Sequence, residues 1–331
     1  MKRINRHKSN RTERPLSYAV LPLLLPLLTI WIAGCSSSTT ADDEGRYPLW
    51  KIKGQKNTVW LLGSVHMLPE SAHPLPEEFG KAYKDADRVV FEVDFDQEDM
   101  FASAIELMGS VMLPMGKTLD DVLEPETWEL LEPRLDDVAE SLVEMSSDMT
   151  GNNIPIDNSM LKIAIKSMKP WFVGFMLQQS ELDIKEYRPD LGVDMFYMTK
   201  AEKDGKETLG LETLKEQVAF LEAMAGDDPD QYIRAMLEQT APDATTLDEL
   251  VSAWGRGDLK RLNKLMVESM KETPEIYNLL LVDRNRKWVL QIEDYLNDEE
   301  DYLVVVGAGH LVGEESVVAL LRKRGIEVER I

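Results

Sequence analysis

Tyr302-Leu303-Val304-Val305-Val306-Gly307-Ala308-Gly309-His310 runs through five residues of β character and then breaks on two glycines and a histidine. A short apolar run of this kind suits a strand buried on both faces, as strands of a parallel sheet are. Near the other end of the chain the same order recurs. Thr58-Val59-Trp60-Leu61-Leu62 leads into Gly63-Ser64-Val65-His66, so a G-x-x-H spacing follows a β-run twice. A parallel sheet leaves the carboxyl ends of its strands open, and ligands bind in the crevice there. Gly63 and Gly307 permit the tight turns that would aim His66 and His310 across that crevice.

Two more β-runs finish on a carboxylate. Arg88-Val89-Val90-Phe91-Glu92-Val93 carries Glu92 at its end, and Glu207-Thr208-Leu209-Gly210-Leu211-Glu212 carries Glu212. Upstream, Leu49-Trp50-Lys51-Ile52 and the run from Thr58 flank Gly54-Gln55-Lys56-Asn57, the pattern of a hairpin. Helical spacing over 77–87 between two β-runs predicts a parallel crossover, and 302–331 repeats the strand, helix, strand order with Gly325 as helix stop. Between about 97 and 200 the pattern is helical, with Leu, Met and Ile at three- and four-residue intervals. Its methionines and Trp171 read as core filling. The expected fold is α/β: a central mixed, largely parallel sheet flanked by helices, with a helical insertion.

The N-terminus has another origin. Lys2, Arg3, Arg6, Lys8, Arg11 and Arg14 precede an apolar run over 18–33, the order of an export signal. That run is interrupted by Pro22 and Pro26 and is shorter than the roughly 20 residues of a membrane-spanning helix. Ile32-Ala33-Gly34-Cys35 then resembles a bacterial lipobox, which makes Cys35 the expected lipid attachment point. The expected organisation is a signal and lipobox over 1–35, a Ser/Thr-rich and acidic tether over 36–46, and one domain over 47–331. Ser36 in place of an aspartate favours the periplasmic face of the outer membrane.

Cys35 is the only cysteine, so the exported domain has neither disulfides nor a thiolate metal cluster. The formal net charge of −23 becomes more negative once the basic signal is removed, which repels phosphate backbones and argues against nucleic acid as a partner.

Imidazole and carboxylate together allow two chemistries. They suit Mn²⁺, Co²⁺ or Zn²⁺, with an open position for a water. Alternatively, a histidine and a glutamate act on water directly as base and acid. Glu92 and Glu212 could also do no more than cap the turns that follow them.

Trp60-Leu61-Leu62-Gly63-Ser64-Val65-His66, Val90-Phe91-Glu92-Val93-Asp94, Gly192-Val193-Asp194, Leu211-Glu212-Thr213 with Gln217, Arg284-Asn285, and Val306 through Gly313 resemble, in that order, the TraB/GumN family. That family is related to the Tiki metalloproteases and more distantly to erythromycin-esterase and ChaN-like proteins. The resemblance implies a divalent-metal-dependent hydrolase, plausibly a peptidase, with His66, Glu92 and His310 as the matched site positions and peptides or small molecules as substrates. A non-enzymatic haem- or iron-binding lipoprotein is the other class it suggests, although neither G-x-x-H segment offers the tyrosine expected of an iron ligand.

Arg284 has two readings, a clamp on substrate or oxyanion and an ion pair to Asp194 or Glu212. Asp194 either orients a histidine from behind or caps a helix. Asn285 joins these as a supporting residue, and His73, in a proline-flanked loop, is expected at the surface.

Overall fold

Alternate residues of the 302–307 run serve opposite cores. In the computed structural model, which describes residues 47–93, 109–140, 143, 158–180, 187–238 and 244–331, Leu303 and Val305 join one apolar cluster while Tyr302, Val304 and Val306 join another. This is the period-two alternation of a strand with helices on both faces. Each such side chain, fully buried, stabilises the fold by about 1.5–3 kcal/mol.

Six strands form the sheet: β1 (Leu49–Lys53), β2 (Thr58–Ser64), β3 (Arg88–Val93), β4 (Thr208–Glu212), β5 (Tyr302–Gly307) and β6 (Glu329–Arg330). Their spatial order is β4-β3-β5-β2-β1-β6. β5 pairs in parallel with both β2 and β3, and β3 pairs in parallel with β4. β1 is antiparallel to β2 through the expected hairpin and antiparallel to β6 on its other side. The fold is therefore α/β with a mixed, mostly parallel sheet. Four neighbouring strands end at one edge, and Ser64 stands level with Gly307 while Val93 stands level with Glu212.

The helices that matter for that edge are α1 (Glu77–Asp85), α2 (Pro170–Ser180), α3 (Val193–Asp204), α4 (Leu214–Met224), α5 (Pro229–Glu238), α6 (Ala244–Arg256), α7 (Asp283–Leu296) and α8 (Val317–Lys323). α7 and α8 cover one face of the sheet, through Trp288, Ile292, Val318 and Leu321. α1, α3 and α6 cover the other, through Phe79, Tyr197 and Trp254. α4 opens on a capping box in which the Thr213 hydroxyl accepts from Glu216 N–H, which ends β4 directly after Glu212.

A third cluster gathers residues between Val111 and Leu177, together with Val218 of α4 and Ile233 of α5. Packing of the helical region thus continues past 200. Conversely α3, which lies before 200, is bound to the main core by Val193, Tyr197 and Ala201. Residues 1–46, including the signal, Cys35 and the tether, lie outside the described residues.

Candidate active site

His66, Glu92 and His310 meet at Gly307. A Cβ built on Gly307 would stand 3.2 Å from Glu92 Oε1, 3.6 Å from His310 Cδ2 and 3.9 Å from His66 Nε2. A side chain there would fill the space these groups share, so glycine serves here by absence of bulk. The Gly307 N–H also donates to Glu92 Oε1 at 2.7 Å. All three side chains are buried, and the pocket they border is small, with room for about one water-sized guest.

Each histidine is held from behind. His66 Nδ1–H donates to Asp194 Oδ1 at 3.0 Å, which turns Nε2 toward the pocket. α3 arrives hard against the His66 backbone: Val193 N–H donates to Val65 O, and a Cβ on Gly192 would lie 2.2 Å from His66 O. Gly192-Val193-Asp194 is thus a helix start that only glycine fits, with the acid placed beneath the imidazole. Gly192→Ala is expected to cost about 1–3 kcal/mol through that overlap, read as a lowered melting temperature, with His66 displaced from Asp194.

His310 sits in a single turn of 3-10 helix after β5. Its Nδ1–H donates to Asn285 Oδ1 at 2.6 Å, and Asn285 Nδ2 donates in turn to Glu315 O, which fixes the amide orientation and hence the tautomer. Trp288 lies against the ring, with centroids 4.3 Å apart.

Arg284 is the ion pair of its two readings, and to both glutamates. Its Nε donates to Glu212 Oε1 and Oε2 at 2.9 and 3.0 Å, Nη2 donates to Glu92 Oε2 at 2.6 Å, and Nη1 donates to Leu280 O and lies 3.1 Å from His310 Nε2. The Arg284 side chain is 1% exposed. Trp288 Nε1–H gives Glu212 a further donor at 3.1 Å. Glu212 is therefore bound within this network and does not border the pocket.

The electrostatics follow from burial and from this cation. Burial pushes the Glu92 carboxyl up, but Arg284, the two histidines and the Gly307 N–H outweigh it and hold the pKa at about 2. Burial first and Arg284 second drive His310 down to about 3, so its Nε2 lone pair is unprotonated at neutral pH. Burial opposes the His66 imidazolium too, yet Asp194, its hydrogen bond and Glu92 leave that pKa raised. For Glu212, burial exceeds the help from Arg284 and the pKa is raised.

Two imidazole Nε2 atoms oriented through their Nδ1 partners, beside an ionised carboxylate, are the donor set of a transition-metal site. Ser64 Oγ borders the same space and is buried without a hydrogen-bond partner, as suits a guest between these groups. The residues fit a divalent ion in donor type. Among the described residues no three such groups are spaced to hold an ion, and Arg284 Nη1 lies 3.1 Å from His310 Nε2.

His73 lies apart from the pocket, its Nε2–H donating to Leu191 O at 2.9 Å. The sequence reading missed Trp288 and the apolar wall of Met266, Met270 and Leu281. Trp288 follows Arg284 by one helical turn, a signal for a shared face that was open to view.

Comparison with known proteins places these residues in a family. The chain is 25% identical to Metalloprotease TIKI1 of Danio rerio over 334 residues, covering 90% of this chain and 65% of that relative. It is 24% identical to Metalloprotease TIKI homolog of Nematostella vectensis, covering 91% of this chain and 70% of the relative. With Uncharacterized protein YbaP of Escherichia coli (strain K12) the identity is 24%, over 79% of this chain and 87% of that protein. The chain thus spans about two thirds of the TIKI1 relative's length. No solved structure matches. The family model for TraB/PrgY/gumN matches residues 48–330, which takes in every strand and every site residue described above, and the chain belongs to the TraB/PrgY/gumN family.

Proposed function

We propose that this protein is a divalent-metal-dependent hydrolase of peptide or similar amide bonds, carried at a membrane surface by lipid on Cys35. The observation that carries the reading is the convergence of His66 Nε2, Glu92 Oε1 and His310 on the space above Gly307. The naming of relatives in fish and sea anemone as metalloproteases supports it. His66, Glu92 and His310 would hold the ion, which when bound supplies Lewis acidity toward a carbonyl and an acidified water. Asp194 and Asn285 fix the two imidazole tautomers. Arg284 keeps Glu92 ionised, and Glu212 anchors Arg284. Ser64 Oγ is placed to bond whatever enters.

One observation favours a second reading. Arg284 Nη1 already satisfies His310 Nε2, and His66 with Asp194 behind it forms a base of raised pKa. In that version His66 takes the proton of a water attacking the carbonyl and returns it to the departing amine, with no metal.

Hydrolysis of a peptide library by the purified protein separates the two. Chelator is expected to abolish turnover, and Mn²⁺, Co²⁺ or Zn²⁺ to restore it; turnover that resists chelator would overturn the metal reading and keep the His66–Asp194 base. For the anchor, Cys35→Ala is expected to abolish incorporation of radiolabelled lipid and to release the protein from the membrane fraction or leave it unprocessed. Unchanged lipid labelling would refute attachment at Cys35.

A further inference from the structure

Besides the histidines, the pocket is lined by three apolar side chains, Met266, Met270 and Leu281. These residues come from a part of the chain that leaves α-helical geometry three times. Leu259–Asn263 runs straight into a π-helical turn, Lys264–Glu268, which carries Met266. A 3-10 turn, Met270–Glu272, follows. Pro274–Tyr277 then runs into a second π-helical turn, Asn278–Val282, which carries Leu281 and ends where α7 and Arg284 begin.

π-helical turns are rare and are concentrated at functional sites, because the wider turn re-aims side chains that α geometry would direct elsewhere. Here both of them present an apolar group to the same pocket. Met266 reaches across to the turn between Gly307 and His310: its Cε would lie 3.5 Å from a Cβ on Gly309.

The pocket is therefore lined by two unlike sets of groups. One offers Ser64, His66, Glu92 and His310, which suit the polar atoms of an amide. The other offers only hydrocarbon and thioether, and a charged side chain set against it would lose hydration without gaining a partner. The three wall residues are 4–7% exposed and close the space down to about one water-sized guest. Methionine, unbranched and with three rotatable bonds, is the residue best able to move aside for an entering group and repack around it.

We infer that Met266, Met270 and Leu281 form the side-chain specificity pocket, which takes an aliphatic residue adjoining the hydrolysed bond. This rests on the peptide-hydrolase reading, and the test keeps the two apart by reading binding as well as turnover. Protein labelled with ¹³C at the methionine methyls is titrated with N-acetylated tetrapeptide amides that carry Ala, Val, Leu, Asp or Lys at each of the two central positions. The Met266 and Met270 signals are assigned with Met266→Leu and Met270→Leu. Cleavage of the same peptides is followed by mass, with divalent metal present.

Aliphatic peptides are expected to shift both methyl signals and to be cleaved at least about 10-fold more efficiently than the Asp and Lys peptides, the discrimination an apolar pocket achieves. Met270→Ala should move the preference from Ala toward Leu, and Met266→Leu should preserve the aliphatic preference if the enlarged pocket of the alanine variant fails to fold. Cleavage without preference and without methyl shifts would overturn the pocket while leaving the hydrolase reading intact. Methyl shifts with aliphatic peptides and no cleavage would uphold the pocket and overturn the hydrolase reading. Neither shifts nor cleavage would overturn both.

Discussion

Replacing Arg284 by methionine is expected to lower folding stability by about 3–5 kcal/mol, the usual result of removing one partner from a buried ion pair. Among the described residues Arg284 is the cation paired with both Glu92 and Glu212, and His310, 4.0 Å from Glu92, is kept neutral by its lowered pKa. Both carboxylates would then keep hydrogen-bond donors but lose the cation that pairs with them. A fall in melting temperature on the order of 10 °C follows from that loss. Breaking the surface pair of Arg324 and Glu293 by Arg324→Met should cost no more than about 1 kcal/mol and provides the control.

The pH dependence should change sign. In the wild type Glu92 has a folded pKa of about 2, below its unfolded value, so its contribution is fully present above the unfolded value and is lost as pH falls toward 2. Without the guanidinium, burial dominates and both carboxyls are raised, so protonation relieves them and acid stabilises the variant relative to neutral pH. Adding Glu212→Gln to Arg284→Met removes one of the stranded charges and should recover part of the loss. Thermal melts at pH 3 and pH 8 check all of these. An Arg284→Met protein with wild-type stability at both would show that the network does not hold this edge of the sheet.

His66→Ala and His310→Ala are each expected to reduce hydrolysis by about 10²–10⁴-fold, the contribution of a positioned imidazole in acid–base chemistry, or more where the residue also holds an ion. Neither should unfold the protein, because both rings border a pocket and lie outside the alternating apolar clusters on the two sheet faces. The two losses should not multiply in the double variant, since residues that act as one unit are not additive. Steady-state kinetics on the two single variants and the double variant give the answer, with melting curves beside them.

How much of this was legible beforehand differs by element. The strand ends were readable because an apolar run, a glycine and a histidine or carboxylate stand together in sequence, and the sheet leaves those ends open. That β5 sits between β2 and β3 was not readable, since strand order depends on how crossovers pack in space. It is the step that brings His310 beside His66 and Glu92 together. Arg284 and Asp194 each had two local readings, and only the fold chose: ion pair for one, histidine support for the other. The methionine wall left no trace apart from burial, because a π-helical turn shifts the facing residues out of the period from which a helix face is read.

The central claim is that one site is built from His66, Glu92 and His310, groups from opposite ends of the chain. Titration of the metal-stripped protein with Co²⁺, followed by the visible absorption of the bound ion, tests it most directly. One tight site per chain is expected in the wild type, and its loss in each of His66→Ala, Glu92→Gln and His310→Ala while each variant keeps its fold. Tight Co²⁺ binding of unchanged stoichiometry and spectrum in His66→Ala and His310→Ala would contradict it.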